Sequence, residues 1–492
     1  TATTEIYTLS LHDALPILRR SRRAQRRTNP PEGETRPHDP DLQDYAVGQQ
    51  PAFHTSDRCL ACHNGLTSPS GKDVSIGFDW RTSMMANSGR DPYWQAGVRR
   101  ETLDHPTAKA AIQDECMACH APIARTHARL QGKEPDLLSH TPLRATDPAV
   151  REHADGVSCS VCHQISPANF GQPDSFNGGY IITPPKADGT YTEFGPYAID
   201  PALQQVMRTS TSGFVPQQAD HVRSSQLCEG CHTLITKALG PNGEEIGSLP
   251  EQVPYQEWEH SSYRDSQSCQ SCHMPAIDEP APISRVLSTP RSGTRHHQFV
   301  AGNFFMQRVF ARYRDDLQLP PTSAELSQAA ERTERYLAER AATLTVSGMA
   351  RREGRVEADI SVENLGGHKL PTAYPSRRAW LHVTLRDAAG RILFESGALH
   401  ADGSIEGNDN DLDPRRYEPH YREVRQPDQV QIYEAILGDL HDAVTTGLLS
   451  ATGYLKDNRL LPHGFDKGSA SANVAVHGDA LADPSFTDQG DV

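Results

Sequence analysis

The sequence predicts an α+β protein of several domains, with a loop-rich, mainly helical half followed by a C-terminal β-sandwich. Three observations lead to this fold class. A Cys-x-x-Cys-His motif occurs five times between residues 59 and 273, in a chain with 36 Gly and 36 Pro. A helical apolar pattern follows over residues 302–343, and from about residue 342 the apolar residues alternate as in half-buried strands.

The repeated motif is the attachment signature of c-type haem. Its two thiols form thioethers with the haem vinyl groups, and its histidine is the proximal ligand of the iron. All ten cysteines of the chain belong to these motifs, which are Cys59, Cys62 and His63; Cys116, Cys119 and His120; Cys159, Cys162 and His163; Cys228, Cys231 and His232; and Cys269, Cys272 and His273. We therefore predict five covalently attached haem c groups.

The alternatives for a single Cys-x-x-Cys pair are zinc ribbons, disulfides and redox-active thiols. Here every pair is followed by histidine, although histidine accounts for only 23 of 492 residues, and this favours haem attachment. Only 36% of the residues are hydrophobic, so haem macrocycles would replace much of an aliphatic core. We expect that this half does not fold without its haems.

Composition and motifs divide the chain into four segments. Residues 1–40 are expected to be non-native or disordered, because residues 5–17 resemble a translated sequencing-adapter read-through and a basic, then Pro-rich stretch follows. Residues 41–300 are the predicted pentahaem cytochrome c domain, and residues 301–341 form a helical connector. Residues 342–492 are the β-sandwich, immunoglobulin-like in general shape, and we expect truncation at both ends of the chain.

Individual elements follow from local patterns. The connector contains two predicted helices, the second of which begins at a capping box formed by Thr322 and Glu325. Strands are predicted at residues 343–346, 356–362, 379–385 and 392–396. In the first half, residues 180–182 and 191–194 are expected to form a hairpin around a Pro- and Gly-containing turn.

Each haem iron also needs a ligand on its distal side, and histidine is the first candidate. A histidine precedes every attachment motif by a few residues, and further histidines lie between the motifs. In compact multihaem proteins such a donor usually serves a haem other than its neighbour in sequence. The candidate axial ligands are His105, His127, His153, His221, His260 and His297. We expect His54 and His140 to be surface residues and His296 to face solvent or a haem propionate.

Three segments carry a family resemblance: residues 80–86 (Trp-Arg-Thr-Ser-Met-Met-Ala), residues 153–158 (His-Ala-Asp-Gly-Val-Ser) and residues 297–303 (His-Gln-Phe-Val-Ala-Gly-Asn). They are similar to segments of the multihaem c-type cytochromes, the group that includes the tetrahaem electron acceptor of hydroxylamine oxidoreductase. The resemblance covers about residues 53–303. It implies that His297 is a distal ligand, and it supports His153.

The first of these segments departs from the family pattern. There the family often has Ser-x-His-Ala with a distal histidine, whereas this chain has Met85 in that position. A thioether ligand raises the reduction potential relative to a second imidazole. The alternatives are that one haem lacks a sixth protein ligand, or that Met84 and Met85 only fill the core.

Two loops of the second half contain further candidates. Residues 366–372 (Gly-Gly-His-Lys-Leu-Pro-Thr) resemble loops that accompany multihaem domains in related chains, which implies that His368 ligates a haem and docks the sandwich. The alternative is that His368 only packs in its loop. Residues 408–413 are acidic enough to hold Ca²⁺ but lack the Gly and the terminal Glu of an EF-hand loop, so a solvated acidic loop is favoured.

The predicted function is electron transfer between redox protein partners outside the cytoplasm, where haem c is attached. A net charge of −15 argues against nucleic acid as a partner. The chain has no run of about 18 apolar residues, so the sequence predicts no membrane span. An export signal is expected, although none is visible. The β-sandwich is a candidate surface for docking or for a homo-oligomer.

The alternative function is an oxidoreductase that acts on a small nitrogen or sulfur species at a five-coordinate haem. Met85 keeps this alternative open, because a substrate binds where the sixth ligand is weak or absent. The chain has no Cys-x-x-Cys-Lys motif, so a lysine-ligated catalytic haem is not supported. No catalytic side chain is predicted, and an electron carrier is favoured over a catalyst.

Overall fold

The computed structural model describes residues 52–144, 147 and 150–492, together with the backbone strand Thr3–Tyr7. The remainder of residues 1–40 lies outside the described residues, so a non-native or disordered segment there stays a prediction. The helices are α1 (Ser56–His63), α2 (Ile76–Arg81), α3 (Pro92–Asp104), α4 (Lys109–His120), α5 (Pro122–Leu130), α6 (Arg151–Ala154), α7 (Cys159–Cys162), α8 (Pro201–Ser210), α9 (Gln226–Glu229), α10 (Pro254–Glu259), α11 (Cys269–His273), α12 (Phe304–Arg312), α13 (Ser323–Arg340) and α14 (Asp409–Leu412).

Strands are short and scattered in the first half and long in the second. They are β1 (Thr3–Tyr7), β2 (Ile165–Ser166), β3 (Ile181–Ile182), β4 (Tyr191–Gly195), β5 (Phe214–Gln218), β6 (Leu234–Leu239), β7 (Glu245–Gln252), β8 (Ala342–Arg352), β9 (Arg355–Asn364), β10 (Arg378–Arg386), β11 (Ile392–Ser396), β12 (Ile432–Asp439), β13 (Val444–Thr445) and β14 (Ala451–Asp457). The model thus has helices and sheets together, and among the residues it describes no helix combines the length and apolar character needed to cross a bilayer.

The connector consists of α12 and α13, which confirms the two predicted helices. The Thr322 hydroxyl accepts the Glu325 N–H, and the Glu325 carboxylate accepts the Thr322 N–H, so the predicted capping box is present. Leu326 is buried on the face of α13 that packs against Met306 and Phe310 of α12. The cap fixes where α13 begins, and the apolar stripe fixes how the helix packs.

Replacing Thr322 with alanine is expected to lower the free energy of unfolding by about 1 kcal/mol, because one N–H at the start of α13 loses its acceptor. Denaturant unfolding of the intact protein measures this change. Thr322→Ser is the matched control, since it keeps the hydroxyl and should stay close to the parent protein. Equal losses in both variants would mean that the methyl group, and not the cap, is what matters at this position.

The second half has two β layers around one apolar core. Strands β10 and β12 are the centre of a six-stranded sheet in which β10 also pairs with β1 and β11, and β12 with β13 and β14. Strands β8 and β9 form a separate two-stranded ribbon. Val362 of the ribbon packs against Leu381 and Tyr433 of the sheet, with Phe465 in the same cluster. The four predicted strands are observed as β8 to β11, and the immunoglobulin-like arrangement of residues 342–492 remains a prediction.

The predicted hairpin in the first half is wrong. Strand β3 pairs antiparallel with β2, and β4 pairs in parallel with β5, so the two segments do not pair with each other. The segment between them contains Pro184 and Pro185, which have no N–H to donate to a ladder. The chain therefore leaves the sheet after Ile182 and returns to a different partner.

The two halves are in extensive contact. Leu249 of β7 is fully buried against Leu437 and Ala451 of the second half. The Glu101 carboxylate of α3 accepts the backbone N–H groups of Leu448 and Leu449. Apolar packing and charge-assisted hydrogen bonds thus hold the C-terminal unit, residues 342–492, on the first half.

Candidate functional site

The five Cys-x-x-Cys-His motifs lie in or at the ends of short helices. The first, second and fifth motifs end α1, α4 and α11, the third forms α7 followed by His163, and the fourth begins in α9 and continues as a turn to His232. All ten cysteine side chains are half-buried, and none is in a disulfide. Disulfide pairing is therefore not what brings the motifs together.

The proximal histidines carry the hydrogen-bond pattern of metal ligands. In three of them, Nδ1 donates to a backbone carbonyl further along the chain: His63 to Ile283, His163 to Phe194 of β4 and His273 to Val300. His120 Nδ1 lies 3.4 Å from the Ser88 carbonyl oxygen. A proton on Nδ1 leaves the lone pair of Nε2 for a metal.

The same histidines are held in the neutral form that ligation requires. Burial lowers the pKa of all five imidazoles, and for His120 and His232 it does so to about 4. Neighbouring imidazoles lower these values further, since His232 lies close to His120 and to His273. The donor set of each motif, two thiols and one neutral imidazole, fits the attachment of a haem c.

Contacts between thiols link the motifs into one cluster. The Cys59 thiol lies beside the Cys159 thiol, which raises the pKa of Cys59, so the first motif meets the third. The fourth motif meets two others, through Cys231 with Cys119 and through Cys228 with Cys269. Cys162 of the third motif also lies close enough to Cys228 and Cys231 to raise their pKa. The order of contact is thus first, third, fourth and fifth, with the second motif beside the fourth.

Two of these contacts each include a serine that lies three residues before one motif and accepts a backbone N–H of the other motif. Ser56 lies three residues before Cys59, and its hydroxyl accepts the Cys159 N–H at 3.3 Å. Ser225 lies three residues before Cys228, and its hydroxyl accepts the Cys269 N–H at 3.1 Å. These serines were not predicted from the sequence, although their repeated spacing before the first cysteine of a motif is a signal that identifies them. The first and third motifs thus dock on each other as the fourth and fifth do.

A short segment clamps the second motif to the fourth. The Tyr180 hydroxyl donates to the Ala118 carbonyl at 2.7 Å, and the Gly178 N–H donates to the Gly230 carbonyl at 2.7 Å. Gly178 has φ +73°, and a Cβ there would lie 2.4 Å from the Ala118 Cβ. Glycine is therefore required at this position by both backbone conformation and space.

The His368 ring lies nearly parallel to the ring of the proximal histidine His273. The centroids of the two rings are 6.1 Å apart, with an angle of 14° between the ring planes. Two imidazoles that bind one metal from opposite sides at about 2.0–2.1 Å would have centroids about 6 Å apart. His368 Nδ1 donates to the Lys369 carbonyl at 3.1 Å, which leaves the lone pair of Nε2 free to bind a metal. The C-terminal unit thus presents an imidazole to the fifth motif.

In His127 and His297, Nδ1 lies within hydrogen-bond distance of an acceptor. His127 Nδ1 lies 2.9 Å from the Glu152 carboxylate, and its buried Nε2 has no hydrogen-bond partner among the described residues. A carboxylate behind a ligating histidine is a recurrent second contact in metal sites. Sequence reasoning missed Glu152, for which there was no local signal. His297 Nδ1 lies 3.2 Å from the Arg295 carbonyl, and burial, followed by the nearby His163, lowers the pKa of His297 to about 4.

The other four candidate ligands are His105, His153, His221 and His260, whose contacts differ from one another. Burial, followed by the nearby His140, lowers the pKa of His153 to about 4, and the two rings are 4.7 Å apart. His260 Nδ1 donates to the Gln256 carbonyl, and His260 lines an open cavity of about 550 Å³. His105 Nε2 is 3.3 Å from the Ser450 hydroxyl, and His221 Nε2 donates to the Ile165 carbonyl at 2.9 Å. In this conformation the His221 Nε2 lone pair is not available to a metal.

His54 and His140, which were expected at the surface, are half-buried, and so is His296, which was expected to face solvent or a haem propionate. His54 packs against Phe214 with centroids 4.6 Å apart, and His140 lies against His153. His296 Nδ1 is 2.7 Å from the Asp79 carboxylate. Aromatic and ionic partners from distant segments account for the burial of these rings, and the sequence pattern does not reveal such partners.

The two methionines of residues 80–86 differ. Met84 packs against the α12–α13 core, as a core filler would. Met85 is half-buried, and its carbonyl accepts the Val157 N–H at 3.0 Å. A Cβ on Gly156 would lie 2.4 Å from the Met85 carbonyl oxygen. Residues 80–86 and 153–158 are therefore in direct contact.

His420, Asp483 and Asp491 form a buried cluster of metal-ligand type in the C-terminal unit. His420 Nδ1 accepts the side-chain amides of Gln431 and Asn458 at 3.0 and 3.1 Å. Each amide oxygen accepts a backbone N–H, which fixes the amide orientation. Nε2 therefore carries the proton and donates to Asp483 at 3.2 Å, so the ring has no lone pair for a metal. The cluster is a hydrogen-bond network that holds the C-terminal segment.

Residues 408–413 do not form the predicted solvated loop. Residues 409–412 are helix α14, and the buried side chain of Asp411 receives two hydrogen bonds from the Arg378 guanidinium, at 2.9 and 3.1 Å. Asp413 pairs with Arg415, and Asp409 pairs with Arg416. Ion pairing thus uses the oxygens that a calcium site would need.

No protein-family model matches the chain, and no curated protein matches it. The chain is similar to the crystal structure of a penta-heme cytochrome c552 from Thermochromatium tepidum, with 18% sequence identity and a TM-score of 0.47. The match covers 84% of this chain and 86% of that chain.

Proposed function

We propose that the protein is a multihaem c-type cytochrome that carries electrons through five covalently attached haems between redox partners outside the cytoplasm. One observation carries this proposal: all ten thiols and five neutral histidines lie in one connected cluster of Cys-x-x-Cys-His motifs, without a disulfide. Haem iron exchanges one electron at a time, and the protein adjusts each potential through axial ligands, burial and local charge.

The contacts between motifs support an order for the electron path. It runs from the first motif to the third, then to the fourth and the fifth, because Cys59 meets Cys159 and Cys228 meets Cys269. The second motif joins at the fourth through Cys119. The fourth motif is the branch point, and the first, second and fifth motifs are the ends where partners exchange electrons.

Histidines supply the sixth ligands. His368 is assigned to the haem of the fifth motif, on its ring geometry with His273. His127 and His297 are the next candidates, because their Nδ1 atoms have hydrogen-bond partners and their rings are shielded from water. His105, His153 and His260 remain candidates, and His221 ranks below them on the use of its Nε2.

The partners are redox proteins that bind briefly. A net charge of −15, before any haem propionates are counted, favours partners with a basic face and argues against nucleic acid. Small, weak interfaces suit electron transfer, because the partners must separate after each exchange. A periplasmic or extracellular location follows from where haem c is attached, and the C-terminal unit is a candidate surface for docking or self-association.

The test is to produce the whole chain in a host that attaches haem c and to measure covalent haem per chain by mass and by haem absorbance. We expect five haems per chain and a reversible multi-step redox titration. Bound zinc, or fewer haems than motifs under full maturation, would contradict the proposal.

The oxidoreductase alternative is tested on the same sample. It is favoured by Met85, which takes the position of a family histidine and which, unlike Met84, is absent from the described apolar clusters. A carrier whose irons all have two axial ligands should show only low-spin iron and should not bind CO, nitrite or hydroxylamine. A high-spin signal that changes on adding these ligands would favour the alternative.

A further inference from the structure

A buried cluster of four charged residues lies beside His368, and we call it the charge clamp: Glu257, Lys369, Asp457 and Arg459. Lys369 Nζ is 2.7 Å from Asp457, and Arg459 is 2.7 Å from Asp457 and 2.9 Å from Glu257. The Lys369 and Glu257 side chains have 0% exposure. Such groups are costly to bury unless every charge is paired, so the clamp tolerates little movement.

The charge clamp holds the His368 loop from two sides. The Glu257 carboxylate accepts the Lys369 backbone N–H at 3.1 Å and also accepts the Thr372 hydroxyl. Lys369 Nζ is anchored by Asp457 and by the Ala475 carbonyl at 3.0 Å. Displacing the loop would leave charges on both sides of it buried and unpaired.

Residues 257–263 of the first half contact the same loop directly. Glu257 lies on α10, and the chain runs from α10 into the fifth attachment motif. The Tyr263 hydroxyl donates to the Leu365 carbonyl at 3.1 Å. A Cβ on Gly367 would lie 3.2 Å from the Trp258 ring, so the loop backbone packs tightly on this segment. The segment that leads to His273 therefore also fixes where His368 lies.

We infer that the charge clamp is a positioning device that holds the His368 imidazole, a group of the C-terminal unit, opposite His273 as the distal ligand of the fifth haem. This inference rests on the proposed function, because it assumes that the fifth motif carries a haem. Its consequence is that the C-terminal unit forms part of a redox centre. Glu257, Lys369, Asp457 and Arg459 touch no iron themselves and act through His368.

The chain offers a matched control for the structural role of buried charge. Lys456 and Glu434 also form a buried pair in the C-terminal unit, at 2.9 Å and with side-chain exposures of 2% and 6%. Lys456 Nζ also donates to the Ile432 carbonyl, and none of its described contacts is with the His368 loop. Lys456→Met therefore reproduces the loss of a buried lysine without touching the loop.

The experiment compares Lys369→Met, Glu257→Gln, Lys456→Met and His368→Ala as haem-loaded full chains. Electron paramagnetic resonance measures the high-spin fraction, redox titration measures the potentials, and denaturation confirms folding. We expect His368→Ala to make about one iron in five high-spin. Lys369→Met and Glu257→Gln should give a smaller high-spin fraction that added imidazole removes, and Lys456→Met should stay low-spin. Glu257→Gln is nearly isosteric with the parent side chain, so it tests the charge clamp if Lys369→Met does not fold.

The outcomes distinguish positioning by the charge clamp from ligation by His368. If His368→Ala becomes high-spin while Lys369→Met and Glu257→Gln keep the parent spectrum and potentials, ligation stands and positioning by the charge clamp is wrong. If Lys456→Met shows the same high-spin fraction as Lys369→Met, the effect is general loss of stability and the inference is also wrong. If His368→Ala leaves every iron low-spin, the ligation assignment itself fails.

Discussion

Replacing His368 with alanine is expected to convert one of the five irons from six-coordinate to five-coordinate. His368 faces His273 with 6.1 Å between ring centroids, and alanine offers no donor atom in that place. Loss of the second imidazole favours high-spin iron, so about one fifth of the iron should change its spectrum and should bind CO or added imidazole. The other four haems should keep their spectra, because their motifs lie in other segments.

His368→Met refines this expectation. A thioether still provides a sixth ligand, but it stabilises the ferrous state relative to imidazole. One midpoint potential should therefore rise by on the order of 100 mV, within the range of about 0.8 V over which axial ligands set haem potentials. Redox titration with optical detection measures this shift.

His382→Ala is the control for loss of a histidine in the same unit. Its ring lies on β10 and pairs with Glu395 at 2.9 Å, away from any attachment motif. This variant should leave all spin states and potentials unchanged. If His382→Ala produced the same high-spin fraction as His368→Ala, the fifth haem would be responding to disturbance of the C-terminal unit and not to a lost ligand.

Local elements of the fold could be predicted because their signals are short and physical. The capping box at Thr322 depends on side chains that bond to backbone within three residues. Apolar alternation identified β9 to within two residues of its observed ends. The hairpin prediction failed because pairing is not local: β4 finds β5 about 20 residues away, and the sequence pattern does not choose between partners.

The residues of each motif are identified by their spacing for the same reason, whereas the sequence offers candidate distal histidines without showing which motif each one faces. The thiols and the histidine of each motif lie within five residues, so spacing identifies them. His368 is 95 residues beyond His273, and only packing of the C-terminal unit brings the two rings together. Nothing in the sequence distinguishes Glu152 from other surface glutamates. Its role is visible only in the structure, where its carboxylate lies 2.9 Å from His127 Nδ1.

Removing the fourth motif is expected to have the largest effect on the whole protein. A Cys228→Ser, Cys231→Ser variant loses both attachment bonds of one haem. These thiols contact Cys119 and Cys269, so the second and fifth motifs lose their shared neighbour. We expect a cost of about 5 kcal/mol or more, comparable with the total stability of a typical domain, and hence little folded protein.

The matched variant is Cys59→Ser, Cys62→Ser in the first motif, whose described thiol contact is with Cys159 alone. It should yield folded protein with four haems, because the first motif lies at one end of the contact order. In any fourth-motif variant that is recovered, reduction from one end should no longer reach the other, since the branch point of the path is missing. Stopped-flow reduction measures electron transfer between the first and fifth haems in the fourth-motif variant and in the parent protein. Equal transfer rates there would mean that the thiol contacts do not define the electron path. Equal yields of the two variants would mean that stability is spread evenly over the five motifs.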